Sequence, residues 1–230
     1  MLETRNLRSG YGRIPILDGL SFSVKKGEVV GILGHNGMGK TTLLKTLIGE
    51  IRVTGGEIFL NDKNITESEM FLRSRAGMAY VPQGREIFPN LTVLENLRMG
   101  EITRPNDSAI VEVLEYFPIL KELLDRLGGR LSGGQQQILA IARCLVARPS
   151  IILLDEPTEG IQPSIVDQII EKLKELQKLL GLTVLLVEQD LHFIQELCDR
   201  ALVMQKGRIS AELSHSDLKN LQIIESHLGL

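Results

Sequence analysis

Gly34-His35-Asn36-Gly37-Met38-Gly39-Lys40-Thr41-Thr42 is the stretch where residue type and spacing specify chemistry most plainly. It fits G-x-x-x-x-G-K-[ST], with Gly34, Gly39, Lys40 and Thr41 at the fixed positions. The apolar run 29–33 ahead of it reads as a buried strand, and residues 42–48 behind it read as a helix. First-turn N–H groups of a helix lack internal partners and carry the positive end of its dipole, so they favour phosphate. Gly34, Asn36, Gly37, Gly39 and Thr42 are therefore candidate contacts to a phosphorylated ligand. Lys40 supplies a point charge for the outer phosphates, and the Thr41 hydroxyl is a ligand for a bridging Mg²⁺. The chemistry is nucleoside triphosphate binding; the plain alternative is a glycine-rich turn that happens to end in Gly-Lys-Thr.

Four further stretches carry chemistry. Gly128-Gly129-Arg130-Leu131-Ser132-Gly133-Gly134-Gln135 is a second glycine-rich turn, opening a helix with Ile138, Ile141 and Leu145 on one face. Ser132, Gly133, Gly134 and Gln135 again offer a helix start to an anion. Two such starts with one lysine loop make sense if the second serves a neighbouring copy's nucleotide. Otherwise Ser132 is simply an N-cap with Gln135 three residues on. Asp155 and Glu156 come directly after the apolar run 151–154, at the strand end where open parallel sheets bind ligands. Asp155 would hold Mg²⁺ directly or through water, and Glu156, on the opposite face, would position or deprotonate the attacking water. Without the phosphate loop, the two acids would read as the cap of the next helix. Gln83, delivered by a strand ending at Pro82, would bring its amide to the metal or to a water at the γ-phosphate, or serve as an ordinary loop residue. Tyr11, with Ile16 nearby, would stack on an adenine ring or pack at a hairpin edge.

The elements that must position these residues emerge from periodicity. Residues 2–6 and 20–24 alternate as half-buried strands, with Tyr11-Gly12 in the loop between them, and form an antiparallel lead-in. Next come a strand at 56–60, a turn at Asn61-Asp62, a helix at 67–75 and a strand at 78–82. From Leu91 to Leu127 the pattern is helical, with Leu94, Leu97, Ile110, Val113, Leu114 and Phe117 at helix spacing and Pro105 and Pro118 as breaks. Together with the helix after Ser132 this makes an inserted helical subdomain over about residues 91–147. Residues 163–180 form a helix with Ile165, Ile169, Leu173, Leu176 and Leu180 on one stripe. A buried strand at 183–187 ends at Glu188-Gln189-Asp190, two strands surround Lys206-Gly207, and short helices close the chain.

The chain has 230 residues, 43% hydrophobic and 24% charged, which leaves room for a sizeable core. A net charge of -3 gives no case for wholesale nucleic-acid binding. Cys144 and Cys198 lie in apolar helical contexts and no leader-type run precedes the first strand, so reduced core thiols and a cytosolic compartment are expected. No apolar run approaches the roughly 20 residues that span a bilayer. A membrane process would be served from the side.

Taken together, Gly34–Thr42, Leu131-Ser132-Gly133-Gly134-Gln135 and Asp155-Glu156 resemble the nucleotide-binding subunits of ATP-binding cassette transporters over essentially the whole chain. The resemblance implies an α/β fold: a P-loop NTPase core with a mostly parallel sheet, an antiparallel β subdomain and the inserted α-helical subdomain, in one domain over residues 1–230. It implies ATP and Mg²⁺ as cofactors, and a head-to-tail dimer in which ATP lies between one copy's phosphate loop and the other's Ser132–Gln135 turn. Tyr11 then resembles the adenine-stacking aromatic, Lys40 and Thr41 the phosphate and Mg²⁺ residues, and Gln83 the glutamine that senses Mg²⁺ and the membrane partner. Asp155 resembles the metal-associated aspartate and Glu156 the catalytic glutamate. Two positions depart from the pattern: Gln189 stands where a histidine is usual and Gln162 where an aspartate is usual. Glutamine donates a hydrogen bond but does not titrate near neutral pH, so Gln189 is expected to orient and not to carry a proton.

The runs from Val81 to Val93 and from Asp155 to Ile165, with Val187-Glu188-Gln189, resemble importers of branched-chain amino acids and urea, and within the second the stretch Thr158-Glu159-Gly160-Ile161-Gln162-Pro163 most resembles the second ATPase of the urea branch. Permease subunits, an external solute-binding protein acting indirectly, and a place on the cytoplasmic face of the membrane are implied. The ATPase partner is a second copy or a related subunit. A chromosome or repair ATPase would need a coiled-coil insertion, a translation factor two cassettes, and a kinase or GTPase would leave Leu131–Gln135 unused.

Overall fold

The computed structural model describes residues 1–102 and 108–228; Pro105, expected to break a helix, lies outside them. The chain opens with β1 (Leu2–Tyr11), β2 (Ile14–Val24), β3 (Val29–Leu33), α1 (Lys40–Ile48), β4 (Val53–Leu60), β5 (Lys63–Asn64), α2 (Met70–Arg75) and β6 (Met78–Val81). Helices α3 (Val93–Glu101), α4 (Ala109–Tyr116) and α5 (Pro118–Lys121) come next, then a 3₁₀ turn at Gly128–Arg130 and α6 (Gly133–Val146). The remainder is β7 (Ile151–Asp155), α7 (Pro163–Leu180), β8 (Thr183–Val187), α8 (Leu191–Leu197), β9 (Arg200–Gln205), β10 (Arg208–Ser214), α9 (His215–Leu218) and α10 (Leu221–Leu228).

Two sheets organise these elements. One is antiparallel, in the order β2-β1-β4-β5; the other runs β10-β9-β3-β8-β7-β6, parallel except where β10 pairs with β9. Every residue of β3, β7 and β8 is buried, as a parallel strand covered on both faces requires. Alternate side chains feed two cores: Val30, Ile32, Ile151 and Leu153 pack with Leu43, Leu44 and Leu47 of α1, while Val29, Leu33, Ile152 and Leu154 pack with α6, α7 and α8. Both cysteines are free; Cys198 is buried, and burial pushes the half-buried Cys144 thiol up to about 11. Among the described residues no helix is long and apolar enough to cross a membrane.

Several boundaries differ from the sequence pattern for identifiable reasons. β1 and β2 continue to Tyr11 and from Ile14, because Asn6 adopts a left-handed backbone (φ 49°) and the register shifts between Thr4 and Leu7, which resets the alternation. Tyr11 is thus the last strand residue, opposite Ile14, and not a loop residue. Helix α2 starts at Met70 because Glu69 is extended (ψ 156°). On α7 the stripe holds at Ile169, Leu173 and Leu176, whereas Leu180 is 57% exposed at the helix's last residue. The turns at Asn61-Asp62 (φ 50° and 64°) and Lys206-Gly207 (φ 47° and 74°) have both central residues left-handed, the geometry that matches strand twist in a tight hairpin.

One buried side chain fixes the helix that carries Lys40. Arg73, 3% exposed, donates to the carbonyls of Thr46 (2.9 Å) and Leu47 (2.7 Å), which close α1, and to those of Ser68 (2.9 Å) and Thr66 (2.8 Å). Its charge also meets the negative end of the α1 dipole. Arg73→Met keeps the apolar length and strands the carbonyls of Leu47, Thr66 and Ser68, while that of Thr46 keeps the Gly49 N–H, so it should cost about 3 kcal/mol in urea unfolding. An unchanged midpoint would remove Arg73 from this role.

Candidate active site

A cavity of about 660 Å³ lies at the carboxyl ends of the parallel strands. The loop after β3 and the start of α1 contribute Asn36, Gly37, Gly39, Lys40, Thr41 and Thr42; the segments after β6, β7 and β8 contribute Gln83, Glu156 and Gln189. Gly39 has φ 98°, and a Cβ there would sit 3.0 Å from Ile16 Cγ2, so the loop reaches this shape only with glycine. Ile16 is itself the apolar wall. Tyr11, expected to stack on a base, is half exposed and does not line the cavity.

Lys40 is 4% exposed; its Nζ donates to the carbonyls of Gly34 (2.7 Å) and His35 (3.1 Å) and lies 3.8 Å from Glu156 Oε1. Burial lowers the ammonium pKa, against the pull of Glu156, Asp155 and Glu188. Asp155 sits beneath the cavity, 1% exposed, with Oδ1 accepting from the Thr41 hydroxyl (3.1 Å) and Oδ2 from the Tyr80 phenol (3.0 Å). Burial raises its pKa while these two hydrogen bonds oppose the rise. Burial, then the Asp155 charge, drives the Tyr80 phenol well above its ordinary value, so it stays protonated and donating.

Glu156 faces the cavity, and its backbone is left-handed (φ 46°), a conformation that strains a side chain with a Cβ and concentrates at functional positions. Its N–H donates to Val187 O (2.9 Å). Its carboxylate accepts from Gln189 Nε2 (2.7 Å) at Oε1 and from Gln83 Nε2 (3.1 Å) at Oε2; Gln83 also donates to Glu159 Oε2 (3.0 Å). Lys40, Gln83, Glu156 and Gln189, distant in sequence, therefore meet. The Thr41 hydroxyl, the Asp155 carboxylate and the Gln83 amide oxygen are hard oxygen donors of the kind Mg²⁺ takes, and the Thr41–Asp155 contact shows two of them adjacent. Among the described residues no three of His, Cys, Asp and Glu cluster as a metal site by themselves.

Ser132, Gly133, Gly134 and Gln135 do not line this cavity. They form the capping box that the sequence allowed: Gln135 N donates to Ser132 Oγ (3.3 Å) and Ser132 N to Gln135 Oε1 (3.0 Å). Gly134 packs so closely on α7 that a Cβ would lie 2.7 Å from Ile165 Cγ2. Gln162 is the exposed N-cap residue of α7 and makes no side-chain cap. Sequence reasoning missed Tyr80, Thr158, Glu159 and Glu188. For Glu188 a signal existed, an acid closing an all-apolar run; for Tyr80 none did, since only the β6–β7 pairing brings it to Asp155.

Among the described residues the Asp155 carboxylate has no ion pair, since the nearby Lys40 pairs with Glu156, and a buried carboxylate so placed costs stability. Asp155→Asn should therefore raise the melting temperature of the ligand-free protein at pH 7, by the equivalent of about 1–2 kcal/mol. The sign comes from the raised pKa: the penalty is absent below the ordinary aspartate value of about 3.9 and grows as Asp155 ionises, so the variant's advantage should vanish in acid. A variant less stable than wild type at pH 7 would contradict this.

Known proteins resemble this chain in sequence and in fold. The ABC transporter family model matches residues 17–159. A high-affinity branched-chain amino acid transport ATP-binding protein, BraG of Pseudomonas aeruginosa, is 40% identical, covering 100% of both chains. A probable branched-chain amino acid transport ATP-binding protein, LivF of Archaeoglobus fulgidus, is 38% identical over 91% of this chain and 90% of its own. A dimeric, post-hydrolysis ATP-binding cassette bound to ADP and Pi superposes with a TM-score of 0.84 at 26% identity, over 94% of this chain and 99% of that one. The α/β fold expected of a P-loop NTPase is thereby borne out, and the chain belongs to the ABC transporter family as an ATP-binding subunit, an ATPase.

Proposed function

We propose that two copies, or one copy and a related subunit, pair head to tail and hydrolyse ATP between them to drive solute import through permease subunits. The observation that carries this reading is the division of parts: one cavity gathers Lys40, Thr41, Gln83, Glu156 and Gln189, while the second anion-directed helix start, Ser132–Gln135, lies outside it. The dimeric state of the cassette that holds ADP and Pi supports it.

In this mechanism Gly37, Gly39 and Thr42 offer backbone N–H groups to the phosphates, and Lys40 exchanges its carbonyl partners for phosphate oxygen. Mg²⁺, held by Thr41, Asp155 and Gln83, would neutralise charge on the outer phosphates. Glu156 takes the proton of the attacking water, and the Gln189 amide, 2.7 Å from Glu156, holds that carboxylate in line without accepting the proton itself. Ser132 of the opposite copy stabilises the transferred phosphoryl group. The helices from α3 to α6, with residues 91–147, form the subdomain that presents Ser132, and the Gln83–Asn90 loop faces the permease on the cytoplasmic side of the membrane. An external solute-binding protein acts indirectly, and nucleic acid has no part.

The solute is a branched-chain amino acid. BraG and LivF support that choice, and with them the importer role. The Thr158–Pro163 run leans instead to urea, which is the competing arm of the test. In vesicles holding the intact complex and its binding protein, leucine, isoleucine or valine should stimulate hydrolysis and urea should not; stimulation by urea alone would reverse the assignment. Gln189→Ala should lower kcat about 10²-fold. Gln189→His should retain turnover and gain a pH dependence at about 6.5 that wild type lacks. An unchanged rate in the alanine variant would exclude Gln189 from the site.

A further inference from the structure

Glu188 directly follows β8, ahead of Gln189, and is 2% exposed, a carboxylate buried at the edge of the cavity. Its surroundings are built to keep it there. Oε1 accepts from both the backbone N–H (2.9 Å) and the hydroxyl (2.6 Å) of Thr158, two residues beyond Glu156. Oε2 accepts from the backbone N–H groups of Gln189 (2.8 Å) and Asp190 (3.0 Å). Four donors meet two oxygens, and they come in pairs from two loops about thirty residues apart. The Glu188 N–H is in turn directed at Ile32 O, 3.4 Å away on β3, which ties the same residue to the strand that feeds the phosphate loop.

We propose that Glu188 is a positioning residue for hydrolysis: its carboxylate clamps the turn after Glu156 to the turn that starts at Gln189, and so sets the approach of the Gln189 amide to Glu156. The inference rests on the reading of Glu156 and Gln189 given under Proposed function. Only a carboxylate suits the place. Acceptance is demanded at both oxygens and donation at neither, so a glutamine amide at 188 must turn its NH₂ group toward one of the two donor pairs. That loop is then pushed away, and the 2.7 Å contact between Gln189 and Glu156 opens. Nucleotide affinity is carried elsewhere, by Lys40 and the backbone of the phosphate loop. Glu188 therefore acts on turnover and not on binding.

The test compares Glu188→Gln, Thr158→Val and Gln189→Ala, with kcat measured at saturating ATP and ATP affinity measured separately by equilibrium binding of a fluorescent ATP analogue. Glu188→Gln should lose about 10²-fold in kcat, as a displacement near 1 Å does, with analogue affinity and KM at the wild-type level. Thr158→Val, which removes one donor and is expected to fold, should shift kcat in the same direction by less. The double variant Glu188→Gln/Gln189→Ala should be no slower than the slower single variant, because both act through one contact. A wild-type kcat in Glu188→Gln and Thr158→Val, a matching loss of analogue affinity, or losses that multiply in the double variant would overturn the proposal. Should Glu188→Gln not fold, the cycle of Thr158→Val with Gln189→Ala decides by the same criterion. Glu156→Gln separates the two levels: if it still hydrolyses ATP and does not dimerise with it, the two-copy reading fails first. If it traps a dimer while Glu188→Gln turns over normally, only the clamp fails.

Discussion

Parallel register is the constraint from which the site is built. Ile32 of β3 and Asp155 of β7 both lie opposite Val187 of β8, and Leu154 lies opposite Val81 of β6. Four strands thus end level, and the segments leaving them emerge along one edge. Those segments carry the phosphate loop with Lys40, then Gln83, then Asp155-Glu156, then Glu188-Gln189. Antiparallel hairpins would scatter these groups to opposite ends; the right-handed crossovers of a parallel sheet deliver them together.

Bringing them together concentrates charge. Asp155, Glu156 and Glu188 crowd around one ammonium, Lys40, in a partly dehydrated space where each interaction is stronger than in water. The protein manages this by giving every oxygen a donor: Thr41 and Tyr80 for Asp155, Gln83 and Gln189 for Glu156, Thr158 and the 189–190 backbone for Glu188. The same donors fix loop geometry. Electrostatic satisfaction and the placement of these side chains are one arrangement, and the left-handed backbone of Glu156 is held within it by the Val187 carbonyl.

The strands of the parallel sheet were legible because burial on both faces demands unbroken apolar runs, and residues 29–33, 151–154 and 183–187 obey that demand. The phosphate loop, the Ser132 capping box and the Lys206-Gly207 hairpin were legible because each is written in consecutive residues. Long-range selections were not. Nothing in Val81-Pro82 announces that Tyr80 meets Asp155, nor that Arg73 closes α1, since both depend on which elements pack as neighbours. Asn6 shows the local limit: one left-handed residue moved the pattern out of phase and hid half of β1. The resemblance leaned toward urea on a six-residue run, while identity over the whole length leans to branched-chain amino acid relatives.

The central claim is that one copy's phosphate loop works with another copy's Ser132. Mixing two inactive variants measures this directly. Lys40→Ala and Ser132→Arg chains should each fail to hydrolyse ATP alone, yet a mixture should recover activity. In the mixed dimer one interface collects both lesions, and the other joins an intact Lys40 to an intact Ser132. A mixture that stays inactive, with both variants folded and associating, would place Lys40 and Ser132 on the same nucleotide within one chain and contradict the account.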